Sequence, residues 1–139
     1  MTINLKQSEP AFIQRKEQLK KVAESYFDAV KQKDFSAIPF SDDVVLRVPL
    51  VPGGVHVPII GKQAAFEQWW QPLVPALEGV SITIVDHYYN DMMTGIITKA
   101  EITLAGPGIM LRVADLFKIN HEGLITEQEN HFDASPLRG

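Results

Sequence analysis

The chain has 139 residues, a formal charge of −4, 45% hydrophobic and 22% charged residues, and no cysteine. Those totals describe one globular domain of ordinary composition and exclude disulfide scaffolds, zinc–cysteine sites, iron–sulfur clusters and cysteine nucleophiles. The acidic balance argues against nucleic acid, whose phosphates need clustered Lys and Arg, and no apolar run of about 18 residues is present to span a bilayer.

Residues 1–9 are polar and lack the apolar stretch of a signal peptide, so a cytoplasmic protein is expected. The spacing predicts a helix over 10–32, with Leu19, Val22, Ala23, Tyr26 and Val30 on one apolar stripe. Ser8 can cap its start and Pro10 suits its first turn. The opposite face carries Arg15, Lys16, Lys20, Glu24 and Lys31 and reads as solvated. A helical turn over 34–38, capped by Asp34, leads into a strand over 44–51. Val44, Leu46 and Val48 share one face of that strand. Pro52-Gly53-Gly54 breaks it, and residues 55–60 are short and extended before Gly61. A third helix is expected over 62–71. Phe66, Trp69, Trp70 and Leu73 form its core stripe, and Pro72 and Pro75 end it.

After Gly79 the apolar period becomes two. Strands are expected over 80–89, 93–104, 109–119 and 124–133, joined by short turns and therefore antiparallel. Helices first and a sheet second give an α+β class, with helices on one face of a curved, mainly antiparallel sheet. One domain over 1–139 is expected, with 1–9 and 134–139 as flexible ends.

One residue breaks the pattern. Leu111, Val113, Asp115, Phe117 and Ile119 alternate onto one face, which is apolar except for Asp115. A carboxylate there is costly unless paired or protonated. Either Asp115 bonds a hidden tyrosine, tryptophan or backbone N–H and only stabilises the fold, or it lines a cavity with a raised pKa and acts as a neutral donor or general acid. Tyr26 also faces inward, and Asp115 is one candidate partner for its hydroxyl. The last strand is polar on both faces, with Gln128, Asn130 and Phe132 on one and Glu129 and His131 on the other. One face should meet solvent or a partner subunit, and the other borders a cavity unless the strand is frayed. Lys99 and Glu101 alternate outward, as do His87 and His131, and His121 lies in a turn. Histidines so scattered make no metal site.

The run Glu24-Ser25-Tyr26-Phe27-Asp28-Ala29-Val30, with Asp34, Ser41-Asp42-Asp43-Val44, Gly61-Lys62-Gln63-Ala64-Ala65-Phe66 and Asp115-Leu116-Phe117-Lys118-Ile119, resembles the nuclear transport factor 2-like superfamily over about residues 18–133. It is most similar to the SnoaL-like branch, with its polyketide cyclases, ketosteroid isomerases and limonene epoxide hydrolases. The resemblance implies a cystatin-like cone, a bent sheet wrapped around helices with a pocket at the open end, dimerised through the sheet. It further implies a cofactor-independent acid–base enzyme (isomerase, cyclase, dehydratase or hydrolase) acting on a largely apolar, oxygenated small molecule. A non-catalytic ligand-binding or interaction domain is the alternative. Neither cofactor, metal, nucleic acid nor membrane is implied as a partner.

In the ketosteroid isomerase pattern the oxyanion tyrosine falls on Tyr26 and its protonated partner acid on Asp115. The proton-shuttling aspartate falls on Val48, before Pro49. A replacement base is then needed, and His56, after the Gly-Gly loop near the expected pocket mouth, is the candidate, histidine being suited to proton transfer near neutral pH. The implied pocket is walled by Leu46, Val48, Trp70, Leu111, Val113, Gln128, Asn130 and Phe132. The epoxide hydrolase triad finds only Lys99, Glu101 and Asn130 near its positions, and the first two alternate away from the apolar face.

Overall fold

The structure, a computed structural model, describes residues 5–137. Residues 1–4 and 138–139, part of the expected flexible ends, lie outside the described residues. The chain opens with α1 (Leu5–Gln32). Its buried stripe of Leu19, Val22, Ala23, Tyr26 and Val30 is the expected one, joined by Phe27. The helix begins before its expected start, so that positions 8 and 10 are both interior to it. Arg15 also departs from expectation. It is half-buried, and its guanidinium donates to the carbonyls of Met93 (2.8 Å), Ile119 (2.6 Å) and Asn120 (3.1 Å). One planar fork serves all three, and the Asn120 carbonyl also accepts from Gly123 N–H at 3.1 Å.

The strands are β1 (Phe40–Arg47), β2 (Ile59–Ile60), β3 (Ser81–Tyr89), β4 (Gly95–Leu104), β5 (Ile109–Ile119) and β6 (Ile125–Phe132). They form one sheet in the order β2-β1-β6-β5-β4-β3. All neighbours are antiparallel except β1 and β6, which run parallel. The last four strands fall where the period-two pattern puts them. β1 does not. It starts at Phe40 and ends at Arg47, because Pro49 lacks an N–H and restricts the residue before it. The stretch expected to be extended after Gly54 instead forms a 3-10 turn, Gly54–His56, before the two-residue β2.

The third helix is composite. α2 (Lys62–Ala65) runs into a π turn, Phe66–Trp70, then α3 (Gln71–Leu73) and a 3-10 turn, Val74–Leu77. Gln71 N–H reaches the Phe66 carbonyl. Pro72 and Pro75 do not end it. Each sits in the first positions of a new segment, where a missing N–H costs little. Asp34 occupies the cap position of the turn Phe35–Ala37 without capping it, and its carboxylate accepts from Ser36 Oγ at 2.6 Å.

α1 and the composite helix pack on the inner face of the sheet. Phe117, Leu19, Ile38, Leu46 and Ile125 are fully buried there, each contributing roughly 1.5–3 kcal/mol. Arg15 pins α1 to the turns before β4 and between β5 and β6. That closes one end of the cone and leaves the other, near Leu104, Leu111, Phe132 and Val48, to the cavity. A bulge at Val85 shifts the β3 register, so that Ile84 pairs with Ala100 and Asp86 with Lys99. The bulge turns His87 inward opposite Thr98, whereas strict alternation points it outward. No helix among the described residues is long and apolar enough to cross a membrane.

Candidate functional site

Strand register lays a row of polar side chains across the inner face. His87 pairs with Thr98, Thr98 with Asp115, and Asp115 with Asn130. Thr98, Asp115 and Asn130 are buried. Gln128, one alternation from Asn130 on the same strand, is also buried, and its Nε2 donates to Asn130 Oδ1 at 2.8 Å. The polar face of β6 is thus a buried network beside a cavity and not a frayed edge.

Tyr26 reaches this row from α1. Its ring is held by Phe27 (centroids 5.0 Å), Phe117 (5.1 Å) and Trp69 (6.3 Å, nearly parallel). Burial raises its pKa well above 10, and the Asp115 charge pushes the same way. The side-chain amides of Gln128 and Asn130 stabilise the phenolate and pull it partly back. The groups that favour its ionised form are therefore the amide pair, and Asp115 opposes them. Held protonated by its burial, the phenol has its own proton to donate.

Asp115 is 3% exposed, and its Oδ1 is buried without a hydrogen-bond partner. Desolvation pushes the carboxyl up to about 8. Of the two readings the sequence leaves open, the geometry matches a cavity acid, because no donor holds the anion in place.

Beside it lies a cavity of about 430 Å³. Tyr26, Asp115 and Asn130 are polar points on an otherwise apolar wall that includes Val48, Trp69, Leu111, Val113 and Phe132. Exposed Leu50, Gln68, Pro72 and Ala76 mark its mouth. No Lys or Arg is among the lining residues, and Tyr26 and Asp115 are the ones that titrate.

The structure thus brings together Tyr26, Val48, Leu111, Val113, Asp115, Asn130 and Phe132. It does not bring in His56, which is exposed in the turn Gly54–His56 and off the cavity wall. Leu46, Trp70 and Gln128 are buried but also off the wall. Trp70 packs on Phe35 at 5.6 Å, and Gln128 stands behind Asn130. Trp69 is the aromatic that faces the cavity, although the helical stripe cast it as core. Leu73, Ala76 and Leu77 come from the segment after Pro72, and Leu137 from the turn Ser135–Leu137. Among the described residues no group of His, Asp and Glu is placed to hold a metal ion.

Residues 23–128 match the family model of the SnoaL-like domain. No match is found among curated proteins. Among solved structures, the chain is similar to the epoxide hydrolase/cyclase-like enzyme SalBIII of pyran ring formation in the polyether salinomycin. That match has a TM-score of 0.71 and 17% identity over 87% of this chain and 95% of that one. It is similar to RV0760c from Mycobacterium tuberculosis in complex with estradiol-17beta-hemisuccinate (TM-score 0.65, 18% identity, 85% and 95% covered). It is also similar to a steroid delta-isomerase from Pseudomonas aeruginosa (TM-score 0.63, 15% identity, 87% and 84% covered). At these identities the likeness shows the cystatin-like, nuclear transport factor 2-like fold.

Proposed function

The chain belongs to the SnoaL-like domain family, and we propose that it binds a largely apolar small molecule and presents Asp115 to one of its oxygens as a neutral acid. The observation that carries this reading is the Asp115 carboxyl, buried on the wall of an apolar cavity with Oδ1 unpartnered. Below about pH 8 it is protonated and donates. The Tyr26 hydroxyl, fed by the two amides, is the second donor. Donors aimed at a developing oxyanion contribute on the order of 3 kcal/mol each. The absence of a cation from the lining disfavours carboxylate and phosphate ligands.

The reaction class is that of a cofactor-independent isomerase, cyclase, dehydratase or hydrolase. Val48 supplies no base and His56 is off the wall, so Asp115 is the group that can release and recover a proton near neutrality. The steroid delta-isomerase and the cyclase-like enzyme of the same fold support this reading. A non-catalytic binding protein is the second reading, favoured by Val48 on the wall and by a neighbour of this fold holding an estradiol derivative. We read residues 1–139 as one domain, a cytoplasmic location as fitting a chain without cysteine, and a homodimer formed through the outer face of the sheet.

The test is titration with a fluorescent, phenolic, steroid-like probe at pH 6 to 10. Stoichiometric binding that weakens as Asp115 ionises above about pH 8, and that changes on Asp115→Asn, supports the proposal. Binding indifferent to both overturns it.

A further inference from the structure

The polar row does not stop at the cavity acid. Asp115 stands opposite Thr98 in the β4–β5 ladder, and Thr98 stands opposite His87 in the β3–β4 ladder. Thr98 is 0% exposed, and its hydroxyl lies 2.9 Å from His87 Nδ1. His87 faces inward only because Val85 is bulged out of register. Side chains directly opposed in a ladder have Cβ atoms about 4.5–5.5 Å apart. A turn of the Asp115 carboxyl about its own side-chain torsions therefore brings Oδ1, which has no other partner, to Thr98 Oγ1 while that hydroxyl stays on the imidazole. A fully buried hydroxyl gains nothing from apolar packing that valine would not supply.

We infer that Thr98 and His87 form a proton path that joins Asp115 to solvent along the inner face of the sheet at its β3 edge, independently of the cavity mouth. This rests on the reading of Asp115 as the cavity acid. In the release step the Asp115 O–H proton passes to Thr98 Oγ1 as the Thr98 proton passes to His87 Nδ1. The imidazolium then gives its Nε2 proton to water. The carboxyl ends as carboxylate, the threonine and imidazole end as they began, and water carries the proton away. Reprotonation is the reverse.

The surroundings of His87 suit the role. The ring is half-buried, so it touches both the interior and solvent. Burial lowers its pKa, with Lys20 of α1 acting the same way and Glu24 of α1 and Asp86 of β3 opposing. It is therefore neutral at pH 7 and free to accept at Nδ1. A ligand seated in the cavity would cover Asp115 from the mouth, and this lateral path would then be its route to water.

The experiment follows the ¹³C carboxyl resonance of Asp115 through a pH titration, with exchange broadening measured on protein saturated with the phenolic probe. Thr98→Val and His87→Phe should leave Asp115 titrating high but slow its proton exchange by about 100-fold, and Thr98→Ser should keep the parent rate. Unchanged exchange in Thr98→Val overturns the path, as does an equal slowing in Thr98→Ser. His87→Phe, at a half-buried position, decides the matter where Thr98→Val fails to fold. If Asp115 titrates near the ordinary value of 3.8 in the parent, the cavity-acid reading itself falls. If it titrates high and both variants exchange at the parent rate, only the path falls.

Discussion

Asp115 stands directly opposite Asn130 in the β5–β6 ladder, yet Asn130 Oδ1 accepts from Gln128 Nε2 at 2.8 Å and Asp115 Oδ1 has no hydrogen bond at all. The amide network serves Tyr26, not the acid. One donor is thereby polarised, and the other is left where its anion is unwelcome. Neither could be exchanged for the other, although both line the same cavity.

The acid should be visible in the pH dependence of stability. Its pKa rises from 3.8 unfolded to about 8 folded. Between those values the folded chain holds a proton that the unfolded chain has lost. Stability from this group is full below about pH 4, falls as pH rises, and is lost above about pH 8. The swing is on the order of 5 kcal/mol. Asp115→Asn removes it, so the variant should gain on the parent in urea midpoint between pH 5 and pH 9. Parallel curves for the two proteins would show that the carboxyl is solvated or paired.

Tyr26→Phe keeps the ring contacts with Phe27, Trp69 and Phe117 and removes the acceptor of the Gln128 and Asn130 amides. Stranding buried donors costs about 1–3 kcal/mol, which a denaturation midpoint will register. Probe affinity should fall about tenfold with the lost donor. A variant as stable as the parent would mean that the amides find other acceptors.

Much of this site can be read from residue order. Alternation alone puts Asp115 on the buried face of β5 and Gln128 and Asn130 on that of β6. Tyr26 follows from the helical stripe of α1. What alternation misses depends on interruptions that local periodicity does not carry. The bulge at Val85 reverses the face of His87. The π turn aims Trp69 at the cavity and sends Trp70 to Phe35. Arg15 looks like one more surface cation until the carbonyls of Met93 and Ile119, far along the chain, come to meet it. The glycine-rich loop points His56 to the mouth in sequence, and the 3-10 turn leaves it in solvent.

Leu111→Trp tests where the ligand sits. Leu111 is 7% exposed and lines the cavity of about 430 Å³, so an indole there takes up void in place of displacing packed atoms. Probe binding should be abolished with a midpoint change within about 1 kcal/mol. Binding at parent strength would place the ligand elsewhere on the surface.

The outer face of the sheet carries an apolar row in register. Tyr88 (50% exposed) pairs with Ile97 (38% exposed), which pairs with half-buried Leu116. Exposed apolar rows of this kind mark contact surfaces. Ile97→Lys should convert a dimer to a monomer in sedimentation equilibrium without altering the Asp115 titration, because Ile97 points away from the cavity. A parent that is monomeric at every concentration would remove the dimer proposal.

Val48→Asp separates the two functional readings. Val48 is 2% exposed and shares the cavity wall with Asp115, so the substitution adds a buried carboxyl beside one already reluctant to ionise. It should cost about 2–4 kcal/mol of stability and place a proton acceptor in the cavity. The readout is deuterium exchange at the carbon next to the carbonyl of a bound cyclic ketone, followed by NMR. Exchange in the parent, lost in Asp115→Asn, means that one carboxyl already moves protons and the chain is an enzyme. Exchange that appears only in Val48→Asp means that the parent holds and polarises its ligand but lacks the base, which makes it a binding protein. A ketone that binds to both and exchanges in neither would show that Asp115 and Tyr26 do not polarise a carbonyl, and the proposed donor geometry would be wrong.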